Sequence, residues 1–259
     1  MKAEALRTVR RASAALSRAD APPEVKSQLA LAFGIRSYEL VLDVGCGAQP
    51  FMLASHLADR SLRDNSERFG LPVPLDNRPF TECLVEALPF RTGAFDFVFC
   101  AHVLEHVADP ARSCAELMRV SNRGYIECPR SWVELVCSSD EHRWLVDHEA
   151  DVLVFREKLP EEYGDLLGMR ATMIMRLGDP RFAQYWNAPT IRAVRNVQFS
   201  WTGAFSVRVL TRSERQHGCT PETRAAWAAL WHRTRRRDER EELAAQIAHA
   251  FGAAQADGL

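Results

Sequence analysis

The pattern of hydrophobic and polar positions first predicts a set of buried strands. Residues 41–44 are apolar except for Asp43, and the chain then passes directly into Gly45, Cys46 and Gly47. Because glycine tolerates positive φ and close approach to its backbone, we predict a buried strand followed by a tight turn. Similar runs predict further strands at residues 55–59, 81–84, 95–100 and 124–128.

Helices alternate with these strands. Apolar positions repeat at helical spacing in residues 24–33 and 110–120. Gly34 is predicted to end the first of these helices, and Asp109 is predicted to cap the second. Strands alternating with helices predict an α/β protein, with a doubly wound, mostly parallel sheet of about seven strands covered on both faces.

We predict three parts of the chain: an N-terminal helical segment at residues 1–37, a main domain at residues 38–215 and a C-terminal helical extension at residues 216–259. The main domain carries an insertion near residues 156–200, which we expect to cover a substrate pocket. Residues 151–155 and 205–210 have the composition of strands. We predict that they form a late pair that closes the sheet.

Polar groups and glycines follow several of the predicted strands. Ligands of such sheets bind at the carboxyl ends of the strands, where sequence-distant residues meet. We therefore predict one crevice lined by residues 43–47, Asp59, residues 84–86, 100–102 and 127–130.

Composition narrows the classes of function. Lysine and arginine (33) balance aspartate and glutamate (34), so no net field favours nucleic acid or a membrane, and we expect a small-molecule partner. No apolar run reaches the roughly 20 residues of a membrane span, and we see no signal-peptide pattern. The seven cysteines include no CxxC pair, which favours reduced thiols in a cytoplasmic protein. The oligomeric state stays open.

Three motifs occur in order between residues 39 and 130, namely 41–47, then 87–90 with 95–98, then 102–107 with 109–110 and 116–120. The first reads VLDVGCG, and the third begins HVLEHV. Together they resemble the class I S-adenosylmethionine-dependent methyltransferases that act on small molecules. The resemblance implies a Rossmann-like fold and S-adenosyl-L-methionine as the cofactor.

The resemblance also implies roles for particular residues around the glycine turn. Asp43 would help to hold the amino acid end of the cofactor, and the backbone of residues 45–47 would approach its methionine and ribose portions. Asp59 would accept hydrogen bonds from the ribose hydroxyls. Asp76 is the alternative, because the spacing from Gly47 is short for Asp59 and long for Asp76.

The remaining implied contacts surround the adenine. Leu84 and Val85 would flank it, and residues 100–102, beginning with Cys100, would form the pocket floor. Relatives often have an acid at the position of Leu84. In this chain, Glu86 or the backbone could instead accept the hydrogen bond from the adenine amino group. The third glycine of the first motif is replaced by Gln49 in this sequence.

Three residues are candidates for substrate chemistry, namely His102, Glu127 and His142. His102 and Glu127 lie at or shortly after the end of a predicted strand, and His142 could reach over from the next loop; a carboxylate or imidazole there is suited to accept a proton. We expect at least one of them to contact the substrate. The thiols of Cys46 and Cys128 have no activating neighbour in the sequence, so we interpret them as packing residues.

Two patterns raise the question of a metal. Residues 102–106 match the inverted zinc-protease motif, but that motif needs a long helix, and here it directly follows an apolar strand. The potential donors in residues 127–128 and 140–148 lack the tight spacing of a metal site. We therefore expect no metal.

Three hypotheses about function remain. The first is methyl transfer from S-adenosylmethionine to a small-molecule acceptor. The second is another use of the same cofactor on this fold, such as a lyase or cyclase reaction, since fold does not fix chemistry. The third is a cofactor-binding protein without turnover. The sequence does not identify the acceptor or the atom that is methylated.

Overall fold

The computed structural model describes residues 22–159 and 179–214, apart from positions 69, 138 and 140. The chain divides into two compact units, Met1–Thr211 and Arg212–Leu259, and every element described below belongs to the first. The first 21 residues of the predicted N-terminal helical segment and the predicted C-terminal helical extension, residues 216–259, lie outside the described residues. The three-part division of the chain stays a prediction.

Nine strands are described, with the ranges β1 Val41–Val44, β2 His56–Asp59, β3 Phe80–Glu82, β4 Phe97–Ala101, β5 Arg123–Pro129, β6 Trp144–Glu149, β7 Val152–Glu157, β8 Asn196–Thr202 and β9 Ser206–Leu210. Six of them form the main sheet in the order β3-β2-β1-β4-β5-β8. Neighbouring strands are parallel except for the antiparallel pair β5–β8. The prediction of a mostly parallel α/β sheet is confirmed, with six strands rather than about seven.

The described helices are α1 Pro23–Phe33, α2 Pro110–Val120, α3 Ser131–Cys137, α4 Pro180–Trp186 and α5 Pro189–Arg195. Helix α1 ends where Gly34 takes a left-handed conformation, with φ 64°. Helix α2 begins at the carboxylate of Asp109, which accepts a hydrogen bond from the Arg112 N–H at 2.9 Å. Both helix boundaries agree with the sequence-based prediction. No helix among the described residues is long and apolar enough to cross a membrane.

Apolar side chains cover both faces of the main sheet. On one face, Phe51 stacks on Phe99 with ring centroids 4.1 Å apart, and Leu29 of α1 belongs to the same cluster. On the other face, Leu117 of α2 packs with Ile126 of β5 and with buried residues of β6, β7 and β8. Because both faces are covered, the central strands are apolar almost throughout.

The chain after residue 131 differs from the prediction. Strands β7 and β9 do not close the main sheet; they pair in parallel with each other, in a second sheet of order β6-β7-β9. The main sheet is closed instead by β8, which lies within the segment predicted as an insertion. Of that insertion, residues 160–178 lie outside the described part, and α4, α5 and β8 make up much of the rest.

Candidate functional site

The glycine turn after β1 is held against β2 by its own backbone. The N–H groups of Gly45 and Cys46 both donate to the carbonyl of Ala58, at 2.8 and 3.0 Å. Gly45 and Gly47 have φ of 71° and 52°, which favours glycine. A Cβ on Gly45 would lie 2.1 Å from Cγ2 of Val103, so the turn and the loop after β4 approach too closely for a side chain.

A cavity of about 880 Å³ opens at this turn, at the carboxyl ends of the central strands. Its wall includes residues of the predicted crevice, among them Asp43, Gly45, Cys46, Gly47, Asp59, Leu84, Val85 and His102. The size is within the range of pockets that enclose a cofactor-sized molecule. The sequence therefore predicted the position of the cavity, although not every residue assigned to it.

Asp43 lies at the base of the turn and is only 2% exposed. Its carboxylate accepts a hydrogen bond from the Phe51 N–H at 2.7 Å, which ties the loop after the turn to β1. Burial raises the pKa of Asp43 to about 7, although that hydrogen bond and the nearby Arg78 act in the opposite direction. A cationic group bound in the cavity would favour the ionised form of this carboxyl.

Asp59 and Asp76 occupy different environments. Asp59 is the last residue of β2, lines the cavity, and accepts hydrogen bonds from the Gly47 N–H at 2.9 Å and from Arg68 at 3.0 Å. A carboxylate has lone pairs for further donors, so a diol could bind beside these contacts. Asp76 pairs with Arg78 at 2.6 Å, and it is not part of the cavity wall. Of these two acids, Asp59 lies at the cavity and Asp76 does not.

The opposite wall is formed by the short 3₁₀ turn Val85–Ala87 and the residue before it. Leu84 is 56% exposed and Val85 is buried, and both line the cavity. Glu86 also lines it, with its Oε1 accepting the N–H of Ala108 at 3.0 Å. This part of the wall therefore combines the apolar side chains of Leu84 and Val85 with the carboxylate of Glu86.

His102 is the candidate catalytic residue that reaches the cavity wall. Its φ of 58° is unusual for a residue with a side chain, and its N–H donates to the carbonyl of Glu127 at 2.8 Å. The ring lies between two carboxylates, with Nδ1 3.4 Å from Glu105 and Nε2 3.7 Å from Glu127. Burial lowers the pKa of His102, but the two carboxylates outweigh this effect and raise it to about 9. The imidazole is therefore protonated near neutral pH.

Glu127 lies behind His102 rather than at the cavity. It is fully buried, and its carboxylate accepts hydrogen bonds from Arg192 of α5 at 2.5 Å, from the Tyr125 hydroxyl at 2.5 Å, and from Asn196. Burial acts to raise the pKa of Glu127, but His102 and Arg192 hold it well below its usual range. The expectation that Glu127 faces the crevice was wrong, because α5 covers the end of β5.

Two other predicted site residues also lie away from the cavity wall. Cys100 is 1% exposed and packs in the apolar cluster under α2, so it does not form the pocket floor. Burial raises the pKa of its thiol well above the usual value. His142 is outside the wall as well, because its Nδ1 is hydrogen-bonded to Glu134 at 2.6 Å. Cys46 does line the cavity, with a thiol pKa that burial raises.

Several residues of the site were missed by the sequence reasoning. Arg68 and Arg192 both line the cavity and pair with the buried acids Asp59 and Glu127. Neither arginine belongs to a motif, and both lie in segments with irregular patterns. Glu134 is buried and pairs with His142 and Lys158, a contact that no sequence spacing indicates.

A parallel sheet in this order, with a glycine turn after its first strand and an acid at the end of its second, defines a Rossmann-like fold that binds a nucleoside-containing cofactor at the carboxyl ends of its strands. Residues 42–126 match the family model described as a methyltransferase domain. This match covers about a third of the chain, and over that segment the chain is similar to S-adenosylmethionine-dependent methyltransferases.

Individual relatives are similar over part of the chain. A ubiquinone biosynthesis O-methyltransferase from Albidiferax ferrireducens is 37% identical over 93 residues, which is 30% of this chain and 36% of that protein. The YcgJ protein of Bacillus subtilis aligns at 23% identity over 37% of this chain and 46% of that chain, with a TM-score of 0.30. A methyltransferase of Aquifex aeolicus aligns at 17% identity over 51% and 74%, with a TM-score of 0.32. The chain thus spans about a third of its curated relative.

Proposed function

We propose that this protein transfers the methyl group of S-adenosylmethionine to a small-molecule acceptor. The observation that carries the proposal is the cavity at the glycine turn, with Asp43 and Asp59 in its wall. The bound cofactor would supply an electrophilic methyl group, so the protein has mainly to hold the reactants in line and exclude water.

The order of the strands supports separate binding positions for the cofactor and the acceptor within the cavity. Asp59 ends β2 and Leu84 follows β3, both on one side of β1, and they would contact the ribose and the adenine. Asp43 of β1 lies between the two sides of the cavity wall. Its carboxylate would attract the cationic amino group at the amino acid end of the cofactor. His102 follows β4, on the other side of β1, so the acceptor would bind near His102.

The protonated state of His102 changes its proposed role. With a pKa raised to about 9, the imidazole is a poor base near neutral pH, but it can donate a hydrogen bond to an oxygen of the acceptor. Glu127 acts through His102 by fixing the position of its ring, so it is a positioning residue. His142 has no proposed contact with the acceptor.

Product analysis tests the proposed function. Purified protein is incubated with S-adenosylmethionine carrying a labelled methyl group and with a small-molecule extract of cells. S-adenosylhomocysteine together with a labelled methyl product is the expected result. Methylthioadenosine without a methylated product would instead support a lyase or cyclase, and cofactor binding without any product would support a protein without turnover.

Calorimetry with two variants tests the placement of the cofactor. Asp59→Asn is expected to weaken binding of S-adenosylmethionine by about tenfold or more, since a charge-assisted bond contributes about 1.5–3 kcal/mol. Asp76→Asn is the matched control, because Asp76 lies outside the cavity wall. Equal affinities for the two variants would contradict the placement of the ribose at Asp59.

A further inference from the structure

Three residues that could ligate a metal converge next to the cavity. Glu105 and His106 lie in the loop after β4, and His142 lies just before β6. Each offers one ligand atom, and these atoms all lie within 4.8 Å of one another. Ligand atoms on one tetrahedral ion are about 3.4 Å apart for bonds of about 2.1 Å, so modest closure would complete a site.

The carboxylate of Glu105 is an unusual buried group. Glu105 is 1% exposed, and neither of its carboxylate oxygens accepts a hydrogen bond of normal length from a described residue, so its negative charge is compensated chiefly by the neighbouring imidazole of His102. The nearest cationic atom is Nδ1 of His102, at 3.4 Å. Leaving a buried carboxylate without donors is costly, and a bound cation is one way to satisfy it.

His142 is oriented as metal-binding histidines are. Its Nδ1 lies 2.6 Å from Oε1 of Glu134, a buried carboxylate whose other oxygen is 3.3 Å from Nζ of Lys158. A histidine that donates Nδ1–H to a carboxylate presents the lone pair of Nε2 on the opposite side of the ring. The His142 ring meets the His106 ring edge to face, with centroids 4.5 Å apart.

The backbone fixes this arrangement. The N–H groups of Arg143 and Trp144 both donate to the carbonyl of Glu105, at 2.7 and 3.1 Å. The indole of Trp144 also donates to the carbonyl of Val107, at 2.8 Å. These bonds hold His142 beside Glu105 and His106, so the three side chains are already neighbours before any ion binds and need only the modest closure described above.

We propose that Glu105, His106 and His142 bind one divalent transition-metal ion at the edge of the cavity, with Glu134 orienting His142. Two imidazoles and one carboxylate suit Zn²⁺, Co²⁺, Fe²⁺ or Mn²⁺. Because His106 also lines the cavity, an ion held by these three residues would lie at the edge of the cavity.

The consequence for chemistry rests on the proposed methyltransferase function. An acceptor hydroxyl bound to the ion would lose its proton to solvent more readily, because the metal lowers its pKa. The bond from that oxygen to the methyl carbon then forms as the carbon–sulfur bond breaks, with the electron pair of that bond staying on sulfur. The ion therefore favours acceptors that present a hydroxyl group.

Metal binding is tested on the full-length protein without cofactor. After treatment with a chelator and its removal, Co²⁺ is added and followed by calorimetry and by visible absorption, and bound Zn²⁺ is measured by elemental analysis. The expected result is one ion per chain with the absorption of histidine-coordinated Co²⁺. Absence of stoichiometric binding in the wild-type protein would overturn the inference.

Variants separate this site from nonspecific binding. His142→Ala is expected to abolish stoichiometric Co²⁺ binding, and Glu134→Gln to weaken it by about 10–100-fold, as loss of a carboxylate behind a histidine ligand typically does. His148→Ala, which removes a histidine of β6 outside the cluster, is the matched control and should bind as the wild type does. Circular dichroism verifies that each variant is folded. Equal binding by His142→Ala and His148→Ala would refute the assignment.

The test is independent of the proposed function. Calorimetry with S-adenosylmethionine is carried out on the chelator-treated wild-type protein. Cofactor binding without stoichiometric metal binding refutes the metal site alone. Metal binding by the wild type that is lost in His142→Ala, without cofactor binding, supports the metal site and refutes the proposed function.

Discussion

Substitution of Gly45 by alanine tests the contact on which the cavity is built. The turn and the loop after β4 meet at Gly45 and Val103, where an added Cβ would lie 2.1 Å from Cγ2 but 3.4 Å from Cβ of Val103. The added methyl group therefore collides with a single methyl group of a neighbouring side chain. Gly93 offers a matched control, since its φ of 64° is similar and no atom lies within 4 Å of its added Cβ.

The expected loss of folding free energy has two parts, the strain of a left-handed backbone at a non-glycine residue and the overpacking against Val103. A non-glycine residue in the left-handed region costs about 1–2 kcal/mol, which is all that Gly93→Ala should lose. Gly45→Ala adds the cost of overpacking, about 1–3 kcal/mol, for a total of about 2–5 kcal/mol. Val103→Ala alone should cost about 1.5 kcal/mol for two partly buried methyl groups.

Urea unfolding of the four variants measures these terms. In the double variant Gly45→Ala/Val103→Ala the colliding methyl group is absent, so the alanine at 45 should cost only the backbone strain. The double variant should thus be about 1–3 kcal/mol more stable than the sum of its single changes predicts. Two results would show that the turn and the loop are not in contact. One is that Gly45→Ala is as stable as Gly93→Ala. The other is that the double variant is no more stable than the sum of its single changes predicts.

Three further predictions concern charge and helix capping. Because burial raises the pKa of Asp43 to about 7, the stability of the wild type relative to Asp43→Asn should fall by about 3–4 kcal/mol as pH rises from about 4 to 7, measured by urea unfolding of both proteins across that range. Glu127→Gln should destabilise the protein by about 3 kcal/mol in the same assay, since it removes the buried partner of Arg192, whereas breaking the exposed pair of Arg208 should cost under about 1 kcal/mol. Asp109→Ala should cost about 1 kcal/mol in thermal unfolding, and an unchanged midpoint would contradict its role as a helix cap.

The first half of the fold could be predicted because its signals are local. Strands β1 and β4 are apolar almost throughout, and glycine or proline marks the end of β1, α1 and β5, at Gly45, Gly34 and Pro129. The carboxyl-end rule then places Asp43, Asp59 and His102 at one edge without knowledge of any contact. Both the position of the cavity and its glycine turn follow from these signals.

The second half was predicted less well because strand pairing is not local. Strands β7 and β9 were found, but their composition does not say which sheet they join. Strand β8 was missed although its signal was present, since Val197, Phe199 and Trp201 are buried and alternate with less buried neighbours. Reading that alternation would have placed a strand inside the segment that was interpreted as an insertion.

The same limit explains why the site residues divide as they do. Glu127 lies near the carboxyl end of β5, as the rule requires, but Arg192 of α5 binds its carboxylate and separates it from the cavity. The sequence of β5 contains no signal for the helix that covers it. Glu105, His106 and His142 meet through backbone hydrogen bonds from residues 143–144 to Glu105, although 35 residues separate the two histidines in the sequence. Rules of ligand spacing detect ligand pairs that share a helix or a short loop. They do not detect a cluster whose members come from loops of two different sheets. For this reason the sequence predicted no metal, although the structure brings three potential ligands together.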